Sequence, residues 1–197
     1  MPAQEHKITN ADIVPYDLYA GERAERKRVL VAIKKLRRIE VGPLATFYFE
    51  NFETMLGQVQ EMLHIEKGGE AQIPGELEAY NPLIPQGDEL IATMMLEIEN
   101  ATRRNAMLLS LGHVEEKIFM EIGEDHVKAT PTDYEDRTTE DGKTSSVHWL
   151  RFKLTPEQIK SFREGGEQIV LGIAHDNYGH MAVISSQSRA ALAKDFS

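Results

Sequence analysis

The sequence predicts an α+β domain: a mainly antiparallel sheet of about six to eight strands, with helices packed on one face. Three observations predict it. Alternating apolar runs of strand length are joined by short turns rich in Gly, Pro and Asp. Amphipathic helical stretches with clear start and stop residues lie between them. No linker, low-complexity tract or internal repeat divides the chain, so residues 1–197 read as one domain.

The elements follow in order. Residues 22–36 form a basic amphipathic helix, with Val29, Leu30, Ile33 and Leu36 at helical spacing among Arg26, Lys27, Lys34 and Lys35. Residues 37–41 and 44–50 are strands around a Gly42-Pro43 turn, and Phe47 and Phe49 share a face. Asn51 caps a second helix that ends at Gly68-Gly69; its stripe is Phe52, Met55, Leu56, Val59, Met62 and Leu63. A short helix over 76–80 closes at Asn81-Pro82. Residues 90–99 are a strand with Leu90, Ala92, Met94, Leu96 and Ile98 on one side. A helix capped by Asn100 ends before Gly112, and the strand 118–122 turns at Gly123 into 126–129. The run 130–144 is a long polar loop, followed by a strand over 146–154. Thr155-Pro156-Glu157-Gln158 is a capping box with proline at the first helical position, and Gly165-Gly166 ends that helix. Residues 169–173 and 181–184 make a hairpin, and Ser185 or Ser186 starts the last helix.

Composition narrows the functional classes. The chain has no cysteine, which excludes disulfides, thiol nucleophiles and an iron–sulfur cluster held by its own side chains. A net charge of −10 argues against nucleic acid or an anionic membrane surface as the main partner. The polar opening and the shortness of every aliphatic run predict no leader and no membrane span, hence the cytoplasm. Residues 1–42 carry a net +3 and residues 43–102 a net −10. The two segments are therefore expected to face each other, within the chain or across a homo-oligomer contact, or else to be plain solvated faces.

Phosphate-binding, dinucleotide, serine-hydrolase and zincin motifs are absent from the sequence. Four features remain. Glu61 and His64 form a lone E-x-x-H, half of a di-iron motif, which falls off the apolar stripe and reads first as a solvated face. His148 alternates with Leu150, Phe152 and Leu154 and reads as a hydrogen-bonded core histidine, with Trp149 on the opposite face. Arg137 and Lys143, in the polar loop, suit an anionic ligand. The densest cluster is His175-Asp176-Asn177-Tyr178-Gly179-His180. If His175 and His180 stand across the hairpin, with Cβ atoms about 5 Å apart, they suit a shared first-row metal such as Fe, Zn or Mn. Asp176 and Tyr178 would then supply oxygen ligands or a proton.

The blocks from Gln60 to Lys67, Ala79 to Pro85, Arg137-Thr138-Thr139, Lys143 to Val147, and His175-x-Asn177-Tyr178-x-His180 resemble the bacterial domain of unknown function 3501 family over nearly the whole chain. The resemblance implies a redox or peroxide-stress setting, because members tend to be encoded beside a rubrerythrin-like protein and an iron–sulfur oxidoreductase. It assigns no catalytic residue. Relatives differ at the position of His148, while the resemblance favours His175, Tyr178 and His180. Two functions fit. One is a metal- or cofactor-binding component of a redox pathway. The other is a non-catalytic adaptor that docks the oxidoreductase or the rubrerythrin-like protein.

Overall fold

The structure is a computed structural model that describes residues 6–132 and 136–197. The described residues form six α-helices and nine strands, in the order α1 (Tyr16–Arg37), β1 (Arg38–Val41), β2 (Ala45–Glu50), α2 (Phe52–Glu66), α3 (Ile73–Tyr80), β3 (Glu89–Leu96), α4 (Ala101–Ser110), β4 (Ile118–Ile122), β5 (Asp125–Lys128), β6 (Thr130–Pro131), β7 (Val147–Lys153), α5 (Pro156–Glu164), β8 (Ile169–His175), β9 (Tyr178–Val183) and α6 (Ser186–Leu192). The α+β class and the antiparallel pairing are as expected. The strands divide between two sheets, of order β1-β2-β3-β7-β6 and β5-β4-β8-β9. No helix of the described residues is long and apolar enough to cross a membrane.

Period-two patterning explains why the sheets stack. Phe47, Phe49, Leu90, Ala92, Met94, Leu150 and Phe152 form the inner face of the first sheet. They meet Ile118, Met120, Ile122, Ile169, Leu171 and Ile173 of the second, all within one buried cluster. Phe162 of α5, Leu192 of α6 and Phe196 join the same cluster. The outer face of the first sheet, at Ile91 and Trp149, packs under Met55 and Val59 of α2, with Ile8 and Leu83 beside them. Trp149 is thus covered on its helix side.

Caps fix the element ends. Asn51 accepts from Thr54 N at 2.9 Å, and Thr155 and Gln158 form the expected reciprocal box. Gly165 lies at φ 85°, the left-handed region that glycine enters at little cost. α1 starts six residues before the apolar pattern does, at Tyr16, behind Pro15. Arg37 ends α1 fully buried, donating to the carbonyls of Phe49 and Glu50 and pairing with Asp195.

Candidate functional site

The hairpin has a two-residue turn, Asp176-Asn177, and this sets its register. His175 stands opposite Tyr178, and His180 stands opposite Ile173. The two histidines are therefore not opposed, as the sequence suggested; they share a face, two rungs apart, with Tyr178 at the rung of His175. The ring of Tyr178 meets that of His180 edge-on at 4.5 Å. Its hydroxyl donates to Val41 O at 2.7 Å and accepts from Leu44 N at 2.9 Å and Ala45 N at 3.1 Å. That hydroxyl is buried and committed to tying the second sheet to the β1–β2 turn, so it is a tether and not a proton donor to a ligand. Gly42, at φ 69°, makes room for this contact: a Cβ there would lie 2.5 Å from the His180 ring. Asp176 is exposed at the tip.

His175 faces a different neighbour. Its Nε2 lies 3.2 Å from Gly112 O, and its Nδ1 accepts from Asn177 N at 3.2 Å. A carbonyl only accepts, so Nε2 carries the hydrogen. Asn177 Nδ2 donates to Ser110 O at 2.8 Å. The hairpin tip therefore clamps the connection that follows α4.

Glu61 and His64 belong to another place. Glu61 accepts from Tyr19 Oη at 2.8 Å and from Arg23 at 2.8 and 2.9 Å, and Lys27 Nζ lies 2.8 Å away. The Arg23 guanidinium, then Lys27 and the Tyr19 hydroxyl, push its carboxyl down to about 2 against the cost of burial. Burial first, and Glu61 second, push the Tyr19 phenol up. His64 is stacked on Tyr16. These partners all lie on α1, so the basic helix does dock on an acidic residue of the middle segment, and the E-x-x-H does not join the hairpin.

The polar loop converges with the hairpin on residues 108–113; its residues 133–135 lie outside the described residues. Thr144 N donates to Leu108 O at 3.0 Å, and Ser145 N donates to Arg137 O at 2.8 Å. Arg137 lies over the Trp149 ring, 4.5 Å from its centroid. Lys143 gives its carbonyl to Thr139 N at 2.9 Å. Thr138 Oγ1 accepts from His113 N at 2.9 Å, and Thr138 N donates to Asp136 Oδ1 at 2.9 Å. One threonine thus links the two residues. His113 is held at φ 59°, a region that few non-glycine residues occupy.

This packing gathers a group that the sequence analysis did not single out. His113, Glu115 and Asp136 each present one ligand atom, and these atoms lie within 4.8 Å of one another. His113 and Asp136 are exposed, whereas Glu115 is 6% exposed. Among the described residues, Glu115 Oε2 has no hydrogen-bond partner. His148, 1% exposed, places Nδ1 3.6 Å from that oxygen. Its Nε2 lies 2.9 Å from Ser145 O and 3.3 Å from Thr144 Oγ1.

The fold and this geometry can be set beside known proteins. A family model described as a protein of unknown function, DUF3501, matches residues 7–196. The chain belongs to the DUF3501 family. A crystal structure of a protein of unknown function from Burkholderia pseudomallei K96243 is similar to it, with 33% identity, 97% of this chain and 100% of that chain covered, and a TM-score of 0.88. No curated protein matches.

In this DUF3501 protein the group is one imidazole and two carboxylates, two of its members exposed, with a second imidazole, His148, beside Glu115. His148 Nδ1 faces the Glu115 carboxylate at 3.6 Å from Oε2, an ion pair when the ring is protonated. That separation is too long for a hydrogen bond. It is close to the roughly 3.4 Å expected of two ligands on one tetrahedral ion with bonds of about 2.1 Å. The available signal in the sequence was His113-Val114-Glu115 just after Gly112, a glutamate beside a valine destined for the core. The partner Asp136 came from a loop whose path local pattern does not reveal.

Proposed function

We propose that this protein binds one divalent first-row transition metal at His113, Glu115 and Asp136, with His148 behind Glu115. The observation that carries the reading is Glu115 Oε2, a buried carboxylate oxygen with no hydrogen-bond partner among the described residues, grouped with His113 and Asp136 within 4.8 Å and with His148 at 3.6 Å. Burial of such an oxygen is costly unless a cation accompanies it. The mixed imidazole and carboxylate donors suit Fe²⁺, Mn²⁺ or Zn²⁺. The exposed side leaves positions for water or a small ligand, the arrangement of a reactive centre more than of a closed structural one. In this reading the hairpin is the support: His175 and Asn177 hold the connection that carries His113. The redox setting that the family resemblance implies makes iron and manganese the first ions to test.

The test is calorimetric titration of chelator-stripped protein with Fe²⁺ under anaerobic conditions, and with Mn²⁺ and Zn²⁺. Stoichiometry of one is expected. Glu115→Gln and His113→Ala should abolish binding, and His148→Ala should weaken it about 10–100-fold, as for groups that orient a ligand. His180→Ala should leave affinity unchanged. Acid should weaken binding, because protons compete for the imidazoles and carboxylates. Loss of binding in His180→Ala with retention in Glu115→Gln would move the site back to the hairpin.

A further inference from the structure

A cavity of about 970 Å³ lies between the N-terminal segment, the start of α1 and the end of α2. That is the size range of small-molecule sites. Its aromatic wall is Tyr16 on His64, with centroids 5.1 Å apart and planes 17° from parallel; Tyr19 meets His64 edge-on at 5.7 Å. Tyr16 is 45% exposed although one ring face rests on His64. An aromatic ring fixed from behind and open in front is a stacking platform. Ile13 and Leu63 add apolar lining.

The walls are held in place by hydrogen bonds among the lining residues and to Glu61 behind them. The Gln60 side chain clasps the backbone of Val14, accepting from its N–H and donating to its carbonyl. Glu61 fixes the Tyr19 hydroxyl. The cavity is therefore formed before any ligand arrives, which lowers the ordering cost of binding.

Two opposite charges line the same cavity at the end of α2, Lys67 and Glu70. Both are exposed, and among the described residues neither takes part in an ion pair. Lys67 ends α2 at φ 56°, a position that glycine fills with less strain. An uncommitted ammonium is thus kept where backbone conformation alone would favour another residue. Among the described residues, the two that pair left-handed backbone with a side chain, Lys67 and His113, each stand at one of the two sites.

We infer that this cavity binds a small aromatic zwitterion, with the chemistry of a free aromatic amino acid. The ring stacks on Tyr16, the carboxylate meets Lys67, and the ammonium meets Glu70. A purely anionic or purely cationic ligand would leave one of these two side chains facing a like charge.

The site shares no residue with the His113 group, so its test is independent of the metal reading. The probe is L-tryptophan, titrated calorimetrically into the full chain after metal removal. Saturable binding is expected, weakened about tenfold by Tyr16→Ala and about fivefold by Lys67→Ala. Tryptamine and indole-3-propionate, each lacking one charge, should bind more weakly than tryptophan, and indole most weakly. Both substituted residues are exposed, and a circular-dichroism melt checks that the variants fold. Absence of binding at millimolar tryptophan overturns the inference. So does binding by Tyr16→Ala and Lys67→Ala that matches the parent, or indole binding as tightly as tryptophan.

Discussion

Glu61 shows how a single side chain can look like one thing in a sequence and be another in a fold. Read locally, it is half of a metal-binding pair; in three dimensions it is the anion that receives Tyr19, Arg23 and Lys27. Its carboxyl is pushed down to about 2 from an ordinary value of 4.5. A lowered value means that the folded state prefers the charged form, so the stabilisation is present above about 4.5 and is lost as pH falls through about 2. Arg23 and Lys27 are 35% and 46% exposed, and solvent screens them. The contribution is therefore put at about 1–2 kcal/mol, below what the full shift implies. Urea melts of the parent and Glu61→Gln should differ by that amount at pH 7 and converge toward pH 2. Equal stability at both pH values would show the cluster to be inert. Which partner a carboxylate meets across helices is a property of tertiary packing, and nothing within four residues of Glu61 discloses it.

At the scale of elements, the apolar period of α2 was readable, but its depth was not. The stripe predicts Phe52, Leu56, Val59 and Leu63 buried together, and all four do join the cluster beneath α2. Only Val59 is fully buried, with Met55 beside it; Phe52, Leu56 and Leu63 are half-buried. Met55→Ala should then cost about 2–4 kcal/mol, and Leu63→Ala less, about 1–2 kcal/mol. A reversed order in chemical denaturation would place the wrong edge of the helix against the sheet. The sequence also located most caps, because Asn51, Thr155 and Ser185 act on backbone within their own turn. It missed the first turn and a half of α1, where Pro15 offers no side-chain cap and Gly21 weakens the helical signal. The His113, Glu115 and Asp136 group was illegible for a related reason. It is assembled by a two-residue turn, a threonine and a loop, each unremarked alone, that meet only when the strands have paired.

For the whole molecule, alternation along each strand states which residues face inward, but not which strands share a sheet. An inward-facing Phe47 and an inward-facing Leu171 look alike in sequence whether they lie side by side or across a sandwich. The closing of the two layers therefore had to come from three dimensions, and Tyr178 is the residue that fastens it. Its hydroxyl joins β9 to Val41, 137 positions away along the chain. Contacts of that span form late, since the intervening chain must be gathered before they return any stability. The β1–β2, β4–β5 and β8–β9 hairpins are local and can form early. Tyr178→Phe leaves a carbonyl and two amides without their buried partner, a loss of about 1–3 kcal/mol. In stopped-flow chevrons that loss should appear almost wholly as faster unfolding, with the refolding rate nearly unchanged. The tyrosine would then be a latch on the lifetime of the native state, fastened only after the folding barrier has been crossed.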